Sequence, residues 1–232
     1  SLAMNREIVD FLSRRERSED DVNYLNVLLD RLQSISMEEY SAVFVLDVSG
    51  VCLASTDRRF IGTDYGFRSY AEEIIKHGQK LHISNFCIGL RSLIPGVFIS
   101  APVYGRGGTL AGIAVLTVAG TAIWRLVENF RPPEGLPAAS GADGFGRLLR
   151  FLLPREGEFG SFPEASIVNE DGIVISHPSQ AYLYKSLDDL SPEALKAITE
   201  SRQFLDLEIE SLKNPFLMDL HLRSGRESLP FA

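Results

Sequence analysis

The chain contains a near-copy of part of itself. The run Val45-Leu46-Asp47-Val48-Ser49-Gly50-Val51-Cys52-Leu53-Ala54-Ser55 aligns with Ile167-Val168-Asn169-Glu170-Asp171-Gly172-Ile173-Val174-Ile175-Ser176-His177, 122 positions later throughout, as Val45 is to Ile167. In both runs an apolar strand ends in Asp or Asn, a Gly three residues on makes the turn, and an apolar strand returns. At nearly the same spacing, the helix that opens near Phe67 has a counterpart at Ser191-Pro192-Glu193, with an N-cap Ser and Pro in the first helical position. A repeat on this scale implies two related modules rather than one large domain. At 232 residues and 45% hydrophobic, the chain is long enough for both.

The periodicity around the repeat gives the rest of the organisation. Ile8, Phe11 and Leu12, then Val22, Leu25, Leu28, Leu29 and Leu32, recur at helical steps, so residues 5 to about 40 read as a long helix whose apolar stripe fades over Arg14–Asp21. About 30 helical residues would run about 45 Å. Two readings stay open: a stalk that also pairs with a second subunit, or two shorter helices packed on one domain. Next come a hairpin turning at Val48-Ser49-Gly50 and a helix over Phe67–His77 closed by Gly78. Strands over Leu81–Cys87, Gly96–Tyr104 and Leu110–Val118 follow, then a helix over Thr121–Phe130. That order predicts an α+β unit with an antiparallel sheet. Arg131–Ala142, rich in Pro, Gly, Ala and Ser, reads as a boundary, and Phe145–Leu153 as a short helix. The expected division is 1–40 for the helix, 41–130 for the first module, and 131–232 for the linker and second module. In the second module Phe204–Glu210 and Phe216–Leu222 read as strands and Ser228–Ala232 as the start of a further segment. That module is therefore either cut short or smaller than the first.

Composition removes several function classes. There are 23 Lys and Arg against 31 Asp and Glu, a net charge of −8, with no clustered cations for a phosphate backbone, so nucleic acid is excluded as a partner. The two cysteines and four histidines lack metal-ligand spacing, and neither a metal nor a cofactor is expected. The longest mostly apolar stretch, Leu110–Trp124, falls short of the ~18 to 20 residues of a membrane span. Ser1-Leu2-Ala3 ahead of Met4 reads as a vector remnant, and the chain as a piece of a longer protein. Asp47, Asp57, Asp64 and the histidines offer acid–base groups. Yet no nucleophile elbow, phosphate loop or dinucleotide fingerprint accompanies them, so an enzyme is not expected.

With its residues in this order, the sequence resembles the double Cache family of extracytoplasmic sensor domains. The runs that carry the resemblance are D-V-S-G-V-C-L-A-S-T (47–56), I-G-T-D-Y-G-F-R-S-Y (61–70), P-G-V-F-I-S-A-P-V (95–103), G-I-A-V-L (112–116) and N-E-D-G-I-V-I-S-H-P (169–178). The resemblance spans roughly residues 5 to 232 and is strongest in the first module. It implies a long N-terminal helix followed by two PAS-like modules with antiparallel sheets, the first membrane-distal and ligand-binding, the second membrane-proximal. It further implies a periplasmic or extracellular location within a membrane-anchored receptor, a homodimer through the N-terminal helix, and a cytoplasmic output domain, a histidine kinase first among the choices. The alternative is a dimerisation or protein-interaction scaffold with an empty pocket.

Arg68 is the leading site residue. It stands at a helix start, where free backbone N–H groups favour an anion, and a guanidinium can hold a carboxylate by two parallel hydrogen bonds. Tyr65 and Tyr70 flank it with hydroxyls and aromatic walls, and Ser100 lies on a candidate pocket strand. His82, Ser84 and Arg106 are candidates for a second anion contact. The plain alternative is Arg68 paired with a surface carboxylate. In the resemblance, amino-acid-binding members carry Arg-x-Trp at the helix start and an Asp late in the last strand. Here Arg68-Ser69-Tyr70 has Tyr for Trp, and Gly112–Val118 has no Asp, with Thr117 its only polar side chain. An unpaired ammonium would be costly there, so a small carboxylate or dicarboxylate is the expected ligand. In the second module Leu190-Ser191-Pro192 replaces the arginine, which implies structural coupling rather than a second ligand site. Cys52 and Cys87 could pair in an oxidising periplasm but are expected to be buried free thiols.

Overall fold

The computed structural model describes residues 2–14, 16–35, 40–128, 166–177 and 179–224. It divides into two compact units: Ser1–Ala122 with Ser191–Leu207, and Ile123–Leu190 with Glu208–Ala232.

The first unit opens with two helices rather than one long one, α1 over Arg6–Leu12 and α2 over Glu19–Ile35. The charged run between them is a junction built from specific bonds. Arg17 donates from Nε to the Phe11 carbonyl (3.1 Å) and from Nη2 to the Leu12 carbonyl (2.9 Å), closing the end of α1. Ser18 then opens α2: its Oγ accepts from the Asp21 amide (3.2 Å), while the Asp21 carboxylate accepts from the Ser18 amide (2.9 Å). This is a capping box with Asp in the Glu position. These bonds also hold the Asp21 carboxyl below its usual pKa, the Ser18 amide first among the causes.

The sheet is antiparallel throughout, in the order β2-β1-β6-β5-β3 with β4 also on β5. Its strands are β1 (Tyr40–Leu46), β2 (Cys52–Ser55), β3 (His82–Ile83), β4 (Cys87–Ile88), β5 (Pro95–Tyr104) and β6 (Leu110–Ala119). The alternation of side chains splits two cores between its faces. Val43, Val45, Val103 and Ala114 pack under Ile8, Phe11, Leu12, Leu25 and Leu29 of the two helices. Phe44, Leu46, Phe98, Ile113 and Val115 face the other way, toward α3 (Ser69–Ile75) and the loop before it. The expected strand over Leu81–Cys87 is interrupted. Ser84 leaves the pleat, its Oγ accepting from the Phe98 amide (2.9 Å) and donating to the Asn85 carbonyl (2.8 Å).

The repeat extends to individual hydrogen bonds. Asp47 Oδ1 accepts from the Val51 amide (3.0 Å), as Asn169 Oδ1 does from Ile173 (2.8 Å). The Cys52 amide donates to Thr63 (3.0 Å) as Val174 does to Lys185 (2.9 Å), and Tyr65 donates to Gly50 (2.9 Å) as Leu187 does to Gly172 (2.8 Å). Short helical turns at Arg58–Phe60 and Gln180–Tyr182 sit at the same spacing. Both turn glycines have positive φ, +95° and +79°.

The second unit contains a small hairpin, β7 (Ile167–Val168) and β8 (Val174–Ser176), with Trp124 of α4 (Gly120–Glu128) donating its indole N–H to the Ile175 carbonyl at 2.8 Å. The helix over Pro192–Glu200 is capped by Ser191 with Pro at its start, as expected, and groups with the first unit. The two strands expected after it do not form. Residues 201–206 are turns, with Arg202 and Leu205 at φ +49° and +58°, and Pro215–Ser224 is a helix. Asn214 caps that helix through Oδ1 to the Leu217 amide (3.2 Å), followed by Pro at the first position. The expectations for residues 129–165 and 225–232, the boundary loop and short helix among them, lie outside the described residues.

Candidate functional site

The loop that carries the leading residues is fixed by the hairpin turn. Gly50 and Gly66 meet so closely that a Cβ on Gly50 would stand 2.4 Å from the Gly66 Cα. Asp64 Oδ1 accepts from the Gly66 amide at 2.7 Å, and the Arg68 amide donates to Tyr65 at 2.9 Å. The chain therefore turns twice in five residues and delivers Tyr65, Arg68 and Tyr70 onto one face of the sheet, all three at most 2% exposed.

Arg68 is the N-cap residue of α3 and is buried with no counter-ion among the described residues. Among the described residues its guanidinium makes one hydrogen bond, Nη2 to the Ile88 carbonyl at 3.1 Å, and lies 5.7 Å from the Phe67 ring centroid, while Nε has no partner. Among the described residues, the surface ion pair held open by the sequence is absent. A buried guanidinium with free donors and no described carboxylate beside it carries an unmet demand for an anionic or acceptor partner.

Four more buried polar atoms lack hydrogen-bond partners among the described residues: Tyr65 Oη, His82 Nε2, Ser100 Oγ and Thr117 Oγ1. The strand register brings the last three together. His82 lies opposite Ser100, and Thr117 opposite Phe98, which shares its face with Ser100 two residues on. Phe98 in turn stacks on Tyr70, with centroids 4.7 Å apart and planes 13° from parallel, and Tyr70 lies 6.3 Å from Tyr65. The unpaired polar atoms of β3, β5 and β6 and those of the Tyr65–Tyr70 segment thus share the core face under α3. Buried polar groups are ordinarily paired, so five unpartnered polar atoms sharing one face are an exception to that rule among the described residues.

Burial dominates the titration of the site. It pushes the Tyr65 hydroxyl up, with Cys52 adding to the effect and Thr63, Arg91 and Arg68 opposing it, and it raises Tyr70 as well, against the pull of Arg68. Both tyrosines are therefore neutral donors. Cys52 and Cys87 are free, buried thiols pushed up to about 12 and about 11, again chiefly by burial.

The structure brings together Tyr65, Arg68, Tyr70, His82 and Ser100 of the expected set. Ser84 is spent on backbone bonds with Phe98 and Asn85. Arg106 is exposed at the β5–β6 turn and pairs with Asp10 of α1 at 3.1 Å, away from this set. Thr117 joins the site without having been singled out, although its place as the one polar side chain of an apolar strand was a usable signal. In the second unit Leu187 and Leu190 occupy the places of Tyr65 and Arg68.

No protein-family model matches the chain. A curated relative, the C4-dicarboxylate transport sensor protein DctB of Rhizobium meliloti (strain 1021), is 35% identical over 79 residues, 32% of this chain. That match covers 12% of the relative's own length. Among solved structures, the sensor domain of the V. cholerae histidine kinase DctB superposes with a TM-score of 0.63 at 21% identity, over 91% of this chain and 69% of that one. The extracellular domain of the putative histidine kinase vpHK1S-Z8 gives 0.55 at 16% identity, over 100% and 71%. The chain shares the α+β, antiparallel-sheet fold of these two domains.

Proposed function

We propose that this chain is the small-molecule sensor portion of a membrane receptor, lying outside the cytoplasm, and that its first unit (within 41–130) binds a small carboxylate or dicarboxylate. The observation that carries the reading is the buried guanidinium of Arg68, with an unpartnered Nε and no described carboxylate to neutralise it. One ligand carboxylate would take Arg68 and the Tyr65 hydroxyl. Ser100, Thr117 and His82 would donate to the other end, walled by Tyr70 and Phe98. All of these groups can serve an acceptor, and no acidic side chain among them could hold an ammonium. The relative named for C4-dicarboxylate transport sensing agrees in ligand chemistry.

In this reading the output is cytoplasmic, most simply a histidine kinase, and the chain itself performs no catalysis. No helix among the described residues is long and apolar enough to cross a membrane. Binding acts by favouring one arrangement of the receptor over another. The second unit, with leucines at the matching places, serves coupling rather than a second ligand. A homodimer through α2 fits its exposed Tyr24 and Val27.

A thermal-shift screen against mono- and dicarboxylates, amino acids and sugars tests the reading. A carboxylate at about 100 times its Kd adds about 2.7 kcal/mol, roughly 5 to 10 °C at this size. Stabilisation by carboxylates that is lost in Arg68→Ala supports it. A well-folded protein that no carboxylate stabilises returns the scaffold alternative.

A further inference from the structure

We infer that Gln203, far along the chain from the site, is a positioning residue for Arg68. The inference rests on Arg68 as the anion-holding group and adds what sets its geometry. Gln203 is 9% exposed and clamps the β4 segment at two points: its side-chain amide donates to the Phe86 carbonyl at 2.9 Å, and its own carbonyl accepts from the Ile88 amide at 2.8 Å. From the other side, the Ile88 carbonyl takes the one hydrogen bond that the Arg68 guanidinium makes among the described residues. Ile88 is thus tied through its N–H to Gln203 and through its C=O to Arg68.

One further bond holds that stretch, from the Gly89 amide to the Ile94 carbonyl at 3.0 Å. β4 is two residues long, and opposite Ile88 stands Pro95, which has no N–H to give. The turn that presents Gln203 is itself over-determined. Arg202 and Leu205 on either side of the Gln203-Phe204 pair are both left-handed non-glycine residues, a conformation that side chains disfavour. Two buried anchors, Gln203 and Phe204 at 1% exposure, hold it there, with the Gln203 amide donating to Ile198 at 3.0 Å. The chain then runs from this turn to Glu210, whose carbonyl accepts from the Ser186 amide at 2.9 Å in the second unit. An anion that draws on Arg68 therefore loads the Ile88 peptide, and through it the segment that leads into the second unit. By linkage, the state of that segment sets the affinity of the site in return.

The test uses the ligand-free full chain, so that it does not depend on which anion binds. Gln203→Met keeps the bulk and removes the donor. Ser201→Ala is the control, because among the described residues the Ser201 hydroxyl bonds within its own helix and turn, to Ala197 and Ile198. The expected result is that Gln203→Met speeds hydrogen exchange of the Ile88 amide at least tenfold and moves the Arg68 Nε–H resonance, while Ser201→Ala does neither. If Gln203→Met does not fold, Gln203→Asn, one methylene too short to reach Phe86, is read in its place. An Ile88 amide and an Arg68 resonance that respond no more to the folded Gln203 variant than to the control overturn the inference. Succinate titration then separates the two ideas. Wild-type protein that ignores succinate counts against the dicarboxylate reading, whereas the relay is already decided by the ligand-free measurements. If wild type binds, the Gln203 variant should bind about tenfold more weakly, and equal affinity overturns the positioning role.

Discussion

The Tyr65 amide donates to the Gly50 carbonyl at 2.9 Å, and this bond hangs the candidate site on the first hairpin turn. Gly50 holds φ at +95° with the Gly66 backbone in the space a side chain would need. Gly50→Ala should therefore cost about 2 kcal/mol or more, a fall in Tm of roughly 4 to 8 °C, and should weaken carboxylate binding along with it. The corresponding Gly172→Ala meets the Met218 side chain rather than backbone. Thermal unfolding of the two variants should show the larger loss at Gly50.

The unpartnered hydroxyl of Thr117 gives a prediction of opposite sign. Thr117→Val keeps the shape and removes a buried donor that has no partner among the described residues. Ligand-free protein should become about 1 kcal/mol more stable, while carboxylate affinity falls several-fold. Denaturant unfolding with and without ligand checks both signs. A variant destabilised in the ligand-free state would mean that the hydroxyl is already satisfied.

Cys52 and Cys87 should be unreactive toward thiol reagents in the native protein at pH 8 and modified only on unfolding, because burial holds both as neutral thiols. The pH dependence follows from the same shifts. An unfolded thiol ionises near 9.0, whereas the native ones wait until about 12 and about 11. The stabilisation is thus fully present below pH 9 and is lost as pH rises from there through the native values, at up to about 1.4 kcal/mol per pH unit for each proton involved. Tyr65 and Tyr70 act in the same direction at higher pH. Urea titrations between pH 8 and 10.5 should show stability falling from about pH 9.

Tyr24 and Val27 are 60% and 47% exposed on α2, where a second copy would cover them. Val27→Asp should raise the dimer dissociation constant at least tenfold in sedimentation equilibrium without lowering Tm. A wild-type chain that is monomeric at high concentration would sink the pairing.

The hairpins, α3 and the long strands were legible because each joins a clear period to a turn residue with one conformational role, Gly50 and Gly172 above all. The break between α1 and α2 was written in Ser18 and Asp21 but lay inside a run of charge that reads as a solvated helix face. The expected strands after residue 203 failed because a short apolar run does not distinguish a strand from a turn anchored by a buried Phe204. Within the site, Arg68 and Tyr65 stood beside a recognisable turn, whereas Arg106 was drawn to Asp10, a partner 96 residues away that no local pattern announces. The tie from Gln203 to Phe86 is longer still, and such contacts emerge only when the chain is folded.

Calorimetric titration of succinate into the wild-type chain and into Arg68→Ala tests the central claim most directly. Saturable one-site binding to wild type, weakened at least a hundredfold by a substitution that leaves the fold intact, is the expected result. Equal binding by both proteins would contradict the claim and take the site away from Arg68.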